Sequence, residues 1–371
     1  MNTISIRSTL VLSILGALAI SLLIIVENSK EFQKQANYEE KIQAAQLNKK
    51  CMIYLKNTFF ANEIAIDNIN DPNETGIIGQ QFSEITSGRG SLPVKLSTAN
   101  PNFAAMIVTQ LKEAGLKKGD GVAVCVTGSF PALNIATCAA IETMGLQPIF
   151  ITSVTSSSWG ANSPAFTWLD MHKSLYDAKL ISFMPVASSI GGNEDLGRTL
   201  SKEGRDLATA AIERNELHYI NSGTLEGNIT ERMKIFENGT SKVKMFINVG
   251  GGIASLGSNN NADVLPSGLR TSAKINELPD HRGVVYEMVR KDIPILNLLH
   301  INRLMERYDL PRDPVPLPKI GEGSLYKTFR YDLTVVVAAT SVFLSLILGV
   351  MYYDKKQNQL GTQIIKKNET I

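Results

Sequence analysis

The chain has 371 residues, of which 37 are Lys or Arg and 35 are Asp or Glu, for a formal net charge of +2. Basic and acidic residues are nearly balanced, which does not suggest the concentrated basic face that nucleic-acid binding requires, so no nucleic-acid partner is expected. The 3 cysteines are too few for a disulfide framework.

Residues 8–26, which follow a short tail over residues 1–7, form the first of two apolar segments without a charged residue. The second is residues 333–353, and as helices both are long enough to cross the roughly 30 Å hydrocarbon core of a bilayer. A cleaved signal peptide is the alternative for the first segment, but the residues around Val26-Glu27 offer no small-residue cleavage site. We therefore predict two transmembrane helices, with both termini on one side of the membrane.

Charges beside the two segments bear on which side of the membrane the intervening domain occupies. Lys and Arg near the ends of spans favour the cytoplasmic side, and their numbers on the two sides are nearly equal. Lys355 and Lys356 directly follow the second segment, within a basic tail over residues 354–371. This placement favours cytoplasmic termini and an extracytoplasmic domain.

The region after the first segment is polar, with apolar residues at helical intervals over residues 27–72. This pattern predicts a helical stalk. Residues 82–86 and 91–97 flank the turn-forming sequence Ser-Gly-Arg-Gly at 87–90, which predicts a hairpin.

Residues 73–310 hold a long alternation of short apolar strands and amphipathic helices. Such strands between such helices are typical of a parallel sheet covered on both faces. We predict an α/β fold, with a doubly wound, mainly parallel sheet domain between the two terminal transmembrane helices. The proline-rich and glycine-containing residues 311–332 predict an extended linker. The predicted strands are 121–126, 147–152, 180–187, 218–220 and 243–249, and the helices are 102–114, 131–144, 164–176, 199–214 and 225–237.

Turns rich in small polar residues follow the predicted strands. In open α/β sheets ligands bind at the carboxyl ends of the strands, where backbone N–H groups and hydroxyls favour anionic groups. The alternative is that Gly and Ser only form turns and helix caps there. The ligand-binding candidates are Gly128, Ser129, Trp159, Asn162, Asn193, Gly250, Gly251 and Gly252.

Known catalytic and nucleotide-binding motifs match these turns poorly. Ser129 lies between a strand and a helix, but Thr127 and Pro131 stand where a nucleophile elbow has glycine. Residues 192–199 depart from a phosphate-binding loop, because Arg198 replaces the lysine. No cofactor is therefore expected.

Metal binding is not predicted either. The 4 histidines are scattered along the chain, and none pairs with another at helical spacing. Asp170 and His172 are two positions apart on a predicted helix and so point apart, which favours an ordinary surface helix.

Several blocks of sequence resemble the poly-γ-glutamate system protein family. They are STANPNFAA at 97–105, GSFPA at 128–132, WGAN at 159–162, FTWLDM at 166–171 and INVGG at 247–251. That family accompanies the ligase and membrane components that make and export poly-γ-glutamate in bacteria. The resemblance spans residues 75–305 and implies a capsule-type polymer pathway at the bacterial cytoplasmic membrane, but it supplies no catalytic residues.

Three functional hypotheses follow. The first is a membrane-anchored accessory component of poly-γ-glutamate biosynthesis or export, whose cleft binds the polymer or its carboxylates and whose partners are the ligase and membrane components. The second is a hydrolase or transferase acting on the amide bonds of the polymer, with Ser129 and Asp170 as the catalytic candidates. The third is an anchored receptor for a small anionic metabolite.

Overall fold

Two units make up the part of the chain that the computed structural model describes, residues 8–61, 66–271 and 278–368. One unit combines residues 1–35 with 327–371, and the other is residues 36–326. The strands are β1 (Lys30–Lys34), β2 (Thr86–Gly88), β3 (Gly121–Thr127), β4 (Gln147–Ser153), β5 (Ser156–Ser157), β6 (Asn162–Ser163), β7 (Phe166–Thr167), β8 (Ala187–Ser189), β9 (His218–Tyr219), β10 (Val243–Val249), β11 (Gly268–Arg270), β12 (Ile295–Leu298) and β13 (Lys327–Tyr331). The helices are α1 (Thr9–Asn28), α2 (Tyr38–Ala61), α3 (Leu92–Thr98), α4 (Asn102–Glu113), α5 (Pro131–Met144), α6 (Trp168–Asp177), α7 (Lys202–Arg214), α8 (Leu225–Glu237), α9 (Ile253–Leu256), α10 (Asn259–Val264), α11 (Val284–Arg290), α12 (Ile301–Tyr308) and α13 (Leu333–Asn368), with a 3₁₀ turn at Asn193–Asp195.

The two terminal helices belong to the first unit. Both are long and apolar enough to span a membrane: an 18-residue stretch within Thr9–Asn28 has a mean hydropathy of 2.8, and one within Leu333–Leu360 has 2.4. Helix α13 continues through most of the predicted basic tail, and its 36 residues extend about 54 Å at 1.5 Å per residue.

A two-stranded antiparallel ribbon, β1 with β13, connects to the inner ends of these helices. Phe32 lies opposite Phe329, and their ring centroids are 4.1 Å apart. Strand β13 falls inside the predicted linker over residues 311–332, which is therefore not extended spacer throughout. Threonine and aromatic residues in KTFRY favour a strand once β1 supplies a partner for its backbone.

The predicted helical stalk over residues 27–72 is not a separate segment. From residue 36 the chain belongs to the α/β unit, and α2 packs against α4 and α5 with Ala44, Cys51 and Leu55 buried. Part of the predicted linker also packs into the α/β unit, since Tyr326 is buried and its hydroxyl donates to Asn102 Oδ1 at 2.7 Å. Helical periodicity reveals an apolar face but does not identify what covers it.

A seven-stranded sheet forms the centre of the α/β unit, in the order β11-β12-β10-β3-β4-β8-β9. Strand β11 is antiparallel to β12 and the other neighbours are parallel, which confirms the predicted α/β class and mainly parallel sheet. From β3 the chain adds β4, β8 and β9 on one side and then returns to add β10 and β12 on the other. The predicted strands ended at residue 249, so β11 and β12 were not anticipated.

Alternate residues of the central strands face two different hydrophobic clusters. Val122, Val124 and Val126 of β3 pack with α2, α4 and α5, whereas Ala123 and Cys125 pack with α8, α9 and α11. Side chains alternate between the faces of a strand, so this division places buried cores on both faces of the sheet.

The predicted hairpin over residues 82–97 is absent. Strand β2 instead pairs in parallel with β5, and the second half of the segment is helix α3. Pro93 lies in the first turn of α3, where its missing N–H has no helical partner to lose and its φ suits the helix. The helix places Lys95 toward the carboxyl ends of the sheet.

Candidate functional site

A cavity of about 730 Å³ lies at the carboxyl ends of the central strands. Its walls come from the segments that follow β3, β4, β8 and β10, together with residues 87–95. The strand order places β10 and β4 on opposite sides of β3, and the segments after all three strands line the cavity. The predicted cleft is therefore present as a cavity at this edge of the sheet.

The ends of β3 and β10 approach each other closely beside this cavity. Gly250 has φ of 86°, a left-handed conformation that favours glycine. A Cβ on Gly250 would lie 3.1 Å from Thr127 Oγ1, and one on Gly252 would lie 3.0 Å from Thr127 Cγ2. Gly250 therefore meets a backbone requirement, and the next two glycines, Gly251 and Gly252, line the cavity.

Lys95 lies in the wall of the cavity with only 2% of its surface exposed. Its Nζ donates hydrogen bonds to Ser157 Oγ at 2.9 Å and to the Ser129 carbonyl oxygen, and it lies 3.9 Å from the centroid of the Phe130 ring. Burial lowers the pKa of Lys95 to about 7, because the charged ammonium loses its hydration.

Ser129 and Ser157 are joined directly. The backbone N–H of Ser157 donates to Ser129 Oγ at 3.0 Å, and the N–H of Ser129 donates to Thr127 Oγ1 at 3.2 Å. The turn after β3 and strand β5 are thus held together through hydroxyl groups. Ser157 is partly exposed and lines the cavity.

A buried ion pair supports the wall formed by the segment after β8. Arg232 Nη1 lies 2.8 Å from Asp195 Oδ2, and both side chains are 4% exposed. Ser189 Oγ donates to Asp195 Oδ1 at 2.8 Å, and Asn228 Nδ2 donates to Asp195 Oδ2 at 3.0 Å. The negative charge of Asp195 is therefore matched inside the protein.

Half of the predicted ligand-binding residues line the cavity: Ser129, Asn193, Gly251 and Gly252. Gly128, Trp159, Asn162 and Gly250 do not. Asn162 is fully buried, where its Nδ2 donates to Gln80 O at 2.7 Å and to Thr86 Oγ1 at 2.9 Å. The backbone N–H of Trp159 also donates to Gln80 O, at 2.8 Å, so Asn162 and Trp159 both hold the segment around Gln80.

Asp170, the second catalytic candidate, lies outside the cavity lining and caps helix α6. Its Oδ2 accepts hydrogen bonds from the Thr167 N–H and hydroxyl, each at 2.7 Å, and Arg214 Nη2 lies 2.5 Å away. Burial raises the pKa of Asp170, but hydrogen bonds from Arg214, Thr167 and Asn215 outweigh this and leave the pKa below its ordinary value. These contacts give Asp170 a structural role, as the cap of α6 and the partner of Arg214, rather than a catalytic one.

His172 also differs from the prediction of a surface helix. It is fully buried, with Nε2 at 3.0 Å from Phe183 O, and burial lowers its pKa to about 4. Its ring packs edge-on against Phe150 and Trp168. His172 is therefore part of the core.

Three residues that the sequence analysis did not single out line the cavity: Arg89, Lys95 and Ser157. Ser157 lies within a run of three serines at 156–158, a signal of small polar character that does not distinguish one serine from the next. Lys95 was assigned to a hairpin strand, and no local pattern indicates that residues 34 and 62 positions away enclose it.

The described residues contain no group of three or more His, Cys, Asp or Glu that could hold a metal ion. Comparisons with known proteins find no matching family model, no matching curated protein and no matching solved structure. The chemistry of the site is therefore argued from its own groups. They are an exposed guanidinium, a buried amine beside a hydroxyl, and glycine-rich turns.

Proposed function

We propose that this chain is a membrane-anchored accessory component of a bacterial poly-γ-glutamate system, and that its cavity binds the polymer through carboxylate groups. The ligase and membrane components of that system are the proposed partners. The resemblance of five sequence blocks supports the pathway, and the lining of the cavity supports the binding. In this proposal the sheet is doubly wound, with the cavity at its switch point between β3 and β10.

The binding proposal depends mainly on Arg89 and its position in the cavity. It is exposed and lines the cavity, and it forms no ion pair with the residues that the structure describes. A guanidinium can donate two parallel hydrogen bonds to one carboxylate. Each residue of poly-γ-glutamate carries a free carboxylate, so the polymer presents this group at regular intervals.

Backbone groups add further donors for an anion. In the described part of the chain, the N–H groups of Gly192, Gly251 and Gly252 donate no hydrogen bond to another residue. All three glycines line the cavity. Unpartnered N–H groups in glycine-rich turns favour anionic oxygens, so the cavity offers donors on more than one wall.

Arg89→Ala should weaken binding of poly-γ-glutamate to the full chain by roughly 10- to 100-fold, the range expected for losing charge-assisted hydrogen bonds worth about 1.5–3 kcal/mol. Fluorescence anisotropy of end-labelled polymer, with the chain in lipid nanodiscs, measures the Kd. Arg290→Ala is the matched control, because it removes one positive charge from α11, outside the cavity lining. Unchanged affinity in Arg89→Ala would contradict the proposed binding mode, and tight binding of free glutamate without the polymer would favour a metabolite receptor.

The proposed location is the cytoplasmic membrane, with both termini inside and the α/β unit outside. The apolar helices α1 and α13 support membrane insertion, and the position of Lys355 and Lys356 supports the orientation. An epitope inserted after Gly223, in an exposed turn, should bind antibody on intact spheroplasts, while a C-terminal fluorescent protein should fold and fluoresce. An epitope that becomes accessible only after lysis would reverse the orientation.

A further inference from the structure

The contact between Lys95 and Ser157 has a chemical capability that carboxylate binding does not use. We propose that Ser157 is a catalytic nucleophile and Lys95 its general base, so that the cavity carries out acyl transfer from an amide or ester. The pair is argued from its own geometry. The choice of a γ-glutamyl amide as the substrate rests on the proposed function.

The geometry of the pair fits proton transfer. The distance of 2.9 Å between Lys95 Nζ and Ser157 Oγ lies within the range for direct transfer of a hydroxyl proton to a base. Ser157 faces the cavity, whereas Lys95 is 2% exposed behind it. The nucleophile is therefore accessible to substrate while the base is shielded from bulk water.

The surroundings of Lys95 favour its neutral form. Its described contacts are the Ser129 carbonyl, the Ser157 hydroxyl and the Phe130 ring, and these include no carboxylate. An ammonium buried without a counter-ion is disfavoured, and the pKa of about 7 has burial as its cause. An appreciable fraction of Lys95 is then unprotonated near neutral pH, as a general base requires.

Ser129 takes a different role from the one predicted for it. Its Oγ accepts the Ser157 N–H at 3.0 Å, and its carbonyl accepts from Lys95. It therefore holds the backbone of the nucleophile and the nitrogen of the base at the same time. Ser129 is a positioning residue, and Ser157 is the serine that contacts the amine through its hydroxyl.

The reaction balances without any further reactant except the acceptor. Ser157 Oγ attacks the acyl carbon and its proton moves to Lys95 Nζ, forming a C–O bond. Collapse of the tetrahedral intermediate breaks the C–N bond, and Lys95 returns the proton to the leaving amine. Water or a second amine then attacks the Ser157 ester, gives its proton to Lys95 and releases the acyl group, and the Ser157 oxygen regains a proton.

A fluorophosphonate probe tests the pair in the full chain in nanodiscs, with the labelled peptide identified by mass spectrometry. We expect covalent labelling at Ser157 and none at that position in Ser157→Ala. Lys95→Met should slow labelling at least about 100-fold, since general bases contribute on the order of 10²–10⁴. Lys95→Arg keeps a hydrogen-bond donor that does not lose its proton, so it should be equally slow.

The controls separate loss of chemistry from loss of structure. Lys41→Met also removes a buried lysine that donates to a backbone carbonyl, that of Leu325 at 2.9 Å, but it lies outside the cavity. It should label at the wild-type rate. The wild-type labelling rate should rise as pH increases through about 7, because Lys95 becomes a base when it loses its proton, and this rise should disappear in Lys95→Met.

Absence of labelling at Ser157, or labelling that is unaffected by Lys95→Met and Lys95→Arg, would overturn the inference. Its failure is distinguishable from failure of the proposed function. If the wild type is not labelled but Ser157→Ala binds the polymer, the catalytic pair is wrong and the chain is an accessory binding protein. If Ser157 is labelled and the labelling depends on Lys95, but the protein neither binds nor shortens poly-γ-glutamate, the catalytic pair is correct and the proposed polymer ligand is wrong.

Discussion

Arg232→Met is expected to lower the free energy of unfolding by about 3–5 kcal/mol, the typical cost of leaving one partner of a buried ion pair without the other. Asp195 is 4% exposed at its side chain, so its carboxylate would be left poorly hydrated and without the guanidinium that matches its charge. Arg232 Nη2 also donates to Ser189 Oγ at 2.7 Å, so the Ser189 hydroxyl loses the donor to its oxygen and keeps its own hydrogen bond to Asp195. Urea denaturation of the full chain, followed by tryptophan fluorescence, measures the change.

A double variant shows whether the unpaired charge is responsible. Asp195→Asn combined with Arg232→Met removes both charges, and it should recover a large part of the lost stability because no carboxylate is left buried alone. Arg290→Met is the matched control: it breaks the exposed pair with Glu287 and should cost less than about 1 kcal/mol. If Arg232→Met proves no more costly than Arg290→Met, the pair does not support the cavity wall energetically.

Gly160→Ala is expected to reduce Ser157 labelling by roughly 100-fold, the effect that a displacement of about 1 Å can have on a catalytic arrangement. The added Cβ would lie 2.2 Å from Ser156 Oγ, 2.7 Å from the Gly128 carbonyl oxygen and 2.8 Å from the Ser129 carbonyl oxygen. The Ser156 hydroxyl can rotate away, but the two carbonyls are backbone and must move with their turn. Because the Ser129 carbonyl accepts from Lys95, this movement separates the base from its position.

The control for Gly160→Ala is Gly349→Ala, outside the cavity lining, where a Cβ would meet no atom within 4 Å. It should leave Ser157 labelling and the unfolding midpoint unchanged. Gly160→Ala should itself cost about 1–3 kcal/mol of stability through overpacking, so the folded fraction is checked by thermal unfolding before labelling rates are compared. Full labelling in folded Gly160→Ala would show that the turn accommodates the methyl group without moving Lys95.

Much of the secondary structure was predictable because its causes are local. Helices α5 and α8 and strand β10 have the bounds that the sequence indicated, 131–144, 225–237 and 243–249. Their periodicity and their bounding residues lie within the segments themselves, such as Pro131 in the first turn of α5 and Gly145 at its end. Strand β12 was missed although it is apolar, since ILNL is short and resembles part of a helix as much as a strand.

The candidate site likewise contains features that local sequence predicts and features that depend on distant contacts. The glycine and serine turns at the carboxyl ends of the strands, including Ser129, Asn193, Gly251 and Gly252, follow from the α/β pattern alone. The local sequence does not indicate that Asn162 is buried and hydrogen-bonded to Gln80, or that Asp170 pairs with Arg214, 44 positions away. Polar residues in turns look alike in sequence, and only their neighbours distinguish a ligand contact from an internal hydrogen bond.

The sequence by itself determined two uncharged segments long and apolar enough to cross a bilayer as helices, an α/β unit between them, and small polar turns at one edge of its sheet. Each depends on composition or periodicity within a short segment. The tertiary structure alone decided that α2 is part of the core and that β2 pairs with β5. It also decided that Lys95 is buried against Ser157. Burial and ion pairing depend on residues brought together from distant parts of the chain, and those contacts convert an ordinary lysine into an amine with a pKa of about 7.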